Sequence, residues 1–127
     1  MKKTVYLFVF ALLSFTIASC SKSAPDQPDL TAQVEGTYQG QLITGTSNYV
    51  TTQVKLTKID NITVKMEHLN GNPAFAQDNI SLSESGTSDI QGDSQSWLIK
   101  WSKISPDKQS LAVKSKLDNT VFSGEKQ

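Results

Sequence analysis

The sequence predicts an all-β fold: a small antiparallel up-and-down barrel of about eight strands. Three observations carry this expectation. From Val34 onward the apolar residues recur with period two, not 3.6. Each short run ends in a Gly, Pro, Asn or Asp turn signal. No segment after Cys20 has the length and spacing of an amphipathic helix. Sequential antiparallel strands with one apolar face form a sandwich or a closed barrel. Closure removes the exposed edges that a Ser/Thr-rich sheet would otherwise present.

Taken in order, Val34, Gly36, Tyr38, Gly40 and Leu42 share one face of a first strand, with Glu35, Thr37, Gln39 and Gln41 on the other. Val50, Thr52, Val54 and Leu56 repeat the alternation against Thr51, Gln53, Lys55 and Thr57. Ile62, Val64, Met66 and His68 repeat it again. Asp60-Asn61 lies between these two runs; both residues tolerate positive φ, so a tight hairpin is expected there. Asn70-Gly71-Asn72-Pro73 reads as a loop, followed by a weaker strand over 76–84 that holds Ile80 and Leu82. Ser85-Gly86 turns into a short strand over 87–91, and Gly92-Asp93-Ser94 turns again. Trp97, Ile99 and Trp101 share a face of the strand over 96–104. Ser105-Pro106-Asp107-Lys108 is a Pro-containing turn. Leu111, Val113 and Leu117 then alternate against Lys114 and Lys116, Asp118-Asn119 turns, and residues 120–126 close the set.

The N-terminus reads as an address. Lys2 and Lys3 precede an apolar stretch over 5–18, broken only by Ser14 and Thr16. That is shorter than the roughly 20 apolar residues of a spanning helix and fits a secretory h-region. It ends in Ile17-Ala18-Ser19-Cys20, which resembles the bacterial lipobox. The resemblance implies a lipoprotein signal peptide over 1–19 and acylation of Cys20, so that the chain is held at the membrane through acyl chains. Residues 20–33, with Pro25 and Pro28, then form the lipidated Cys and a flexible tether, and 34–127 form the barrel domain. By the usual lipoprotein sorting rule, Ser21 after the Cys implies the outer membrane. With no acidic run behind it, a periplasm-facing position is expected.

Composition limits the chemistry. The 127 residues carry 12 lysines, no arginine, 12 acidic residues, one histidine and one cysteine. Cleavage after Ser19 leaves about −2 in net charge, so no nucleic-acid partner is expected. Without arginine, bidentate phosphate recognition is not the design. A single Cys excludes an internal disulfide and a Cys-rich zinc site, and a single His excludes HExxH. Asp89 and Asp93 flank a Gly-containing turn of a kind that can hold calcium, but turn carboxylates are commoner, so no metal and no cofactor is expected. His68 is the one general-base candidate near neutral pH, and no G-x-S-x-G elbow accompanies it. A non-catalytic protein is the expectation.

Glu35-Gly36-Thr37-Tyr38-Gln39-Gly40 opens the domain and Val121-Phe122-Ser123-Gly124-Glu125-Lys126 ends it. These segments resemble the small lipocalin-like, calycin-type barrels of Bacteroidetes lipoproteins, whose G-x-Y-x-G first strand pairs with an F-x-G-x-K last strand. The chain is shorter than true lipocalins and lacks their G-x-W signature. The resemblance implies the fold and the location, and leaves ligand transport open.

The candidate ligand-facing residues are Tyr38, Met66, Trp97, Trp101 and Phe122. Trp97 and Trp101 lie four apart on one strand and point the same way. They line a cavity or fill a core, and eight strands allow either. Two functional classes follow. One is a binding module for a small apolar or amphipathic ligand. The other is a protein-interaction module, such as an envelope inhibitor or an accessory subunit of an outer-membrane complex. A hollow interior favours the first, and a filled core with an exposed apolar patch favours the second. Lys100, Lys103, Lys108, Lys114 and Lys116 crowd the last hairpin, as an anionic docking face or as a solvated one.

Overall fold

Eight antiparallel strands close on themselves in chain order, each bonded to the next and the last to the first. The structure, a computed structural model, describes residues 27–69 and 77–127. Cys20, the lipobox and Phe75 lie outside the described residues. One helical turn, α1 (Thr31–Val34), precedes β1 (Gly36–Thr44), β2 (Ser47–Lys58), β3 (Thr63–His68) and β4 (Asp78–Ser85). β5 (Asp89–Asp93), β6 (Trp97–Ser105), β7 (Lys108–Ser115) and β8 (Val121–Lys126) complete the barrel. The expected pairing of first and last strands is present, from Tyr38 opposite Lys126 to Ile43 opposite Val121.

Period two holds because one face of every strand is buried. A one-residue slip would turn the whole apolar set to solvent. Tyr38 and Leu42 of β1, Val54 and Leu56 of β2, Val64 and Met66 of β3, and Ile80 and Leu82 of β4 point inward. Ile90, Trp97, Ile99, Trp101, Leu111, Val113 and Phe122 complete the interior, and all belong to one contiguous apolar cluster.

The structure departs from the sequence reading in several places, each with a physical cause. Gly40 pairs with Thr52 but Leu42 pairs with Tyr49, so Val50 and Thr51 together oppose Gln41. This bulge reverses the alternation. Val50, expected to face inward with Thr52, is 72% exposed on the outside. Gly92 does not turn; it lies in β5, buried, where a Cβ would come 2.5 Å from Ile99 Cγ1. The turn falls later, where Ser94 Oγ accepts the Trp97 N–H at 3.0 Å and donates to Asp78 at 2.6 Å. Leu117, expected inside, is 78% exposed, because β7 ends at Ser115 and the Ser115 hydroxyl accepts the Leu117 and Asp118 N–H groups. The Asp60 turn uses no positive φ: Asp60 Oδ1 accepts the Ile62 N–H at 2.9 Å instead.

The largest departure is at the start. Residues 31–34, read from sequence as tether and first strand, form the helical turn α1, and Leu30, Thr31 and Val34 are buried. Asp29 organises the turn by accepting the Thr31 hydroxyl at 2.7 Å and the Ala32 N–H at 3.1 Å, the work of an N-cap. The Leu30 and Thr31 N–H groups donate to the Asn61 carbonyl in the β2–β3 turn. The chain therefore folds across one end of the barrel, here called the floor, before it enters β1.

Candidate functional site

Tyr38, Met66, Trp97, Trp101 and Phe122 come together inside the barrel, none more than 4% exposed. They pack against one another's neighbours in the apolar cluster rather than on the solvent face. Tyr38 donates its hydroxyl to the Val34 carbonyl at 2.6 Å, and burial pushes its phenol well above the ordinary value. The Trp101 indole N–H opposes that shift. It stands near enough to influence the hydroxyl but makes no hydrogen bond of normal geometry, and it is buried. The floor thus holds two aromatic donors, one satisfied by α1 and one without an acceptor.

Lys126 lies beside them. It is opposite Tyr38 in the β1–β8 register, and its ammonium donates to the Gln33 carbonyl at 3.4 Å. A crevice of about 110 Å3 remains between α1 and the β4–β5 turn; Gln33, Glu84, Thr87, Ser88 and Asp89 make most of its walls polar, beside Leu30 and Ile90.

The outer wall carries a different feature. Ile43 pairs with Val121, Val121 with Lys114, Lys114 with Leu98, and Leu98 with Asp93. These five outward residues form one row across five strands. Four of them, Val121, Lys114, Leu98 and Asp93, line a groove of about 490 Å3 over β4 to β8, with Leu98, Ala112 and Val121 as its exposed apolar surface and Ser83, Gln91, Asp93, Lys100 and Lys114 as its polar one. Leu98 is 44% exposed and Val121 37%. Lys100 is held by Asp89 at 3.0 Å, whereas Lys114 has no carboxylate partner among the described residues. A second hollow of about 690 Å3 crosses the β1–β8 seam between Val50 and Ile104, and glutamines and serines line half of it.

The remaining candidates separate. His68 ends β3 opposite Val54, half-buried. Asp89 and Asp93 stand at the two ends of β5, engaged by Lys100 and Lys116 respectively. Lys100, followed by the Ser102 hydroxyl, holds the Asp89 carboxyl below its ordinary value. No group of three or more His, Cys, Asp or Glu side chains suited to a metal ion occurs among the described residues. The lysines of the last hairpin do not act as one patch. Lys100, Lys108 and Lys116 are each paired with a carboxylate, Lys108 with Glu125 at 2.7 Å. No helix among the described residues is long and apolar enough to cross a membrane.

Sequence reasoning missed the outer groove and the floor. The clue to the groove was Leu98, an apolar residue between Trp97 and Ile99 on the face that alternation assigns to solvent. The clue to the floor was the spacing of Leu30 and Val34, four apart beside a capping Asp29. No family model, curated protein or solved structure matches the chain.

Proposed function

We propose that the protein is a membrane-anchored, non-catalytic binding module with a lipocalin-like barrel, and that it engages a partner in the cell envelope through its outer wall. The observation that carries this reading is the contrast between the two faces of β6. Its inward residues Trp97, Ile99 and Trp101 are committed to the buried apolar cluster, while its outward Leu98 belongs to a groove with an apolar surface and with Lys114, which has no carboxylate partner among the described residues. A contiguous exposed apolar surface is stable in water mainly when something covers it. Lipidation at Cys20 would hold this wall within the tether's reach of the outer membrane, where an envelope protein would meet it.

The test is site-specific photo-crosslinking in intact cells. A crosslinking residue at Leu98 or Val121 should yield one discrete adduct, and Ala112→Arg should abolish it by filling the groove. The same residue at Thr57, across the barrel on β2, should yield none. Equal adducts from all three positions, or none from the groove, would overturn the reading.

A further inference from the structure

We propose that the hollow across the β1–β8 seam is a second binding site, for a neutral glycan whose sugars carry an acetamido group. Its volume of about 690 Å3 is that of a small-molecule site. Each of two opposite sides is set by a fault in strand pairing. The β1–β2 bulge turns Val50 outward on one side, and the β6–β7 register shift between Lys103 and Ser105 falls at Ile104 on the other. Val50 is 72% exposed and Ile104 60%. Bulges re-aim side chains and gather beside functional sites. Between these two apolar residues run β1, β8 and β7, and every side chain they contribute to the hollow is polar.

The polar groups are oriented for an amide. Gln39 and Gln41 stand two apart on the outer face of β1, with Cα atoms about 7 Å apart. Gln41 donates its Nε2 to Asn48 Oδ1 at 2.8 Å, which leaves its Oε1 as an acceptor. Gln39 accepts from Gln53 Nε2 at 3.4 Å on its Oε1, which leaves its Nε2 as a donor. A secondary amide fits between them, its carbonyl accepting from Gln39 and its N–H donating to Gln41. Val50 opposes Gln41 in the bulge, so its methyl groups lie beside the place of an acetyl methyl.

The rest of the lining selects a sugar as the carrier of that amide. Ser110 and Ser123 hydroxyls both donate and accept, as ring hydroxyls do. Glu125 is the one charged residue lining the hollow among the described residues, and Lys108 neutralises it at 2.7 Å, so a charged ligand gains nothing. An extended peptide also carries secondary amides, but it is bound by adding to a sheet edge, and the closed barrel has no edge to offer. No aromatic side chain among the described residues lines the hollow, so one site holds the glycan weakly, and several anchored copies along one polymer supply avidity. This site is independent of the outer groove.

The experiment uses the mature chain in detergent, with chitotetraose as probe and NMR of side-chain amides and methyl groups as readout. Chitotetraose should shift the Gln39 and Gln41 amides and the Val50 methyls. Cellotetraose, with a hydroxyl in place of each acetamido group, should bind at least about tenfold more weakly. Gln39→Glu, which removes the donor, should weaken chitotetraose about tenfold, whereas Gln41→Glu, which keeps an acceptor, should hold it within about twofold. Retention of the chain on chitin beads supports the proposal, whether isolated cell-wall sacculi also retain it, which marks the wall glycan as a source, or do not, which marks a glycan from outside the cell. No shift with chitotetraose overturns the proposal. So does equal binding of cellotetraose or of N-acetyl-alanyl-alanine amide, or a Gln39→Glu chain that binds as the wild type does.

Discussion

Gly40 and Gly124 face each other across the β1–β8 seam, and neither position has room for a side chain. A Cβ at Gly40 would fall far inside contact distance of the Ser123 carbonyl oxygen and the Gly124 Cα. A Cβ at Gly124 would come 2.5 Å from Phe122 Cζ, because that ring folds back over the glycine. The seam that closes the barrel therefore depends on the two glycines within G-x-Y-x-G and F-x-G-x-K.

Gly40→Ala should cost about 2–3 kcal/mol or more, since the obstructing atoms are backbone and cannot rotate away. Urea unfolding of the mature domain measures it. Gly45→Ala is the control: nothing lies within 4 Å of its Cβ, and only the φ of 55° opposes it. A cost at Gly40 no larger than at Gly45 would mean that the seam relaxes.

Phe122→Ala should cost about 3–5 kcal/mol, because the ring is fully buried and Gly124 beneath it cannot fill the cavity. Chemical denaturation with β-type circular dichroism as the signal reads this directly. A cost below about 1 kcal/mol would be incompatible with the ring's place in the core.

These positions show how much was legible in the chain. Burial of one face enforces alternation, so the strands, their order and the closing pair could be read from Tyr38, Leu42, Val54, Trp97 and Phe122. The bulge could not, because Val50 continues the apolar spacing of Val54 and Thr52 as written and only strand pairing moves it outside. Gly92 carries the same residue type as a turn glycine, and its role is set by Ile80 and Ile99 closing over it. α1 shows its helical period in a single apolar pair, Leu30 and Val34, too little to stand out from the tether. The outer groove requires Val121, Lys114 and Leu98 to be neighbours, which happens only when separate segments pair around the barrel.

Cys20→Ala should leave the chain unacylated and retained as precursor. Intact mass of the membrane fraction checks it: the wild-type chain should begin at residue 20 and carry acyl groups. A mature N-terminus elsewhere, without acyl mass, would remove the anchor from the proposed function.

Asp29 should titrate at about 2, below its ordinary 3.8. The Lys58 ammonium is the main cause, and the Thr31 hydroxyl and Ala32 N–H stabilise the same carboxylate. The sign follows from linkage: a folded-state value below the unfolded one adds stability above about pH 4, and that stability is lost as pH falls toward 2. Asp60, Asp89 and Asp118 are also lowered, by the Ile62 N–H, Lys100 and the Thr120 N–H respectively, so global acid unfolding does not isolate Asp29. Residue-specific NMR does. The Asp29 carboxyl carbon should show a midpoint near 2, and the Thr31 and Ala32 amides should shift with it as the cap is lost. Lys58→Met should move that midpoint up toward 3.8 while the strand resonances hold still. A midpoint unchanged by Lys58→Met would show that the ion pair does not hold α1 to the floor.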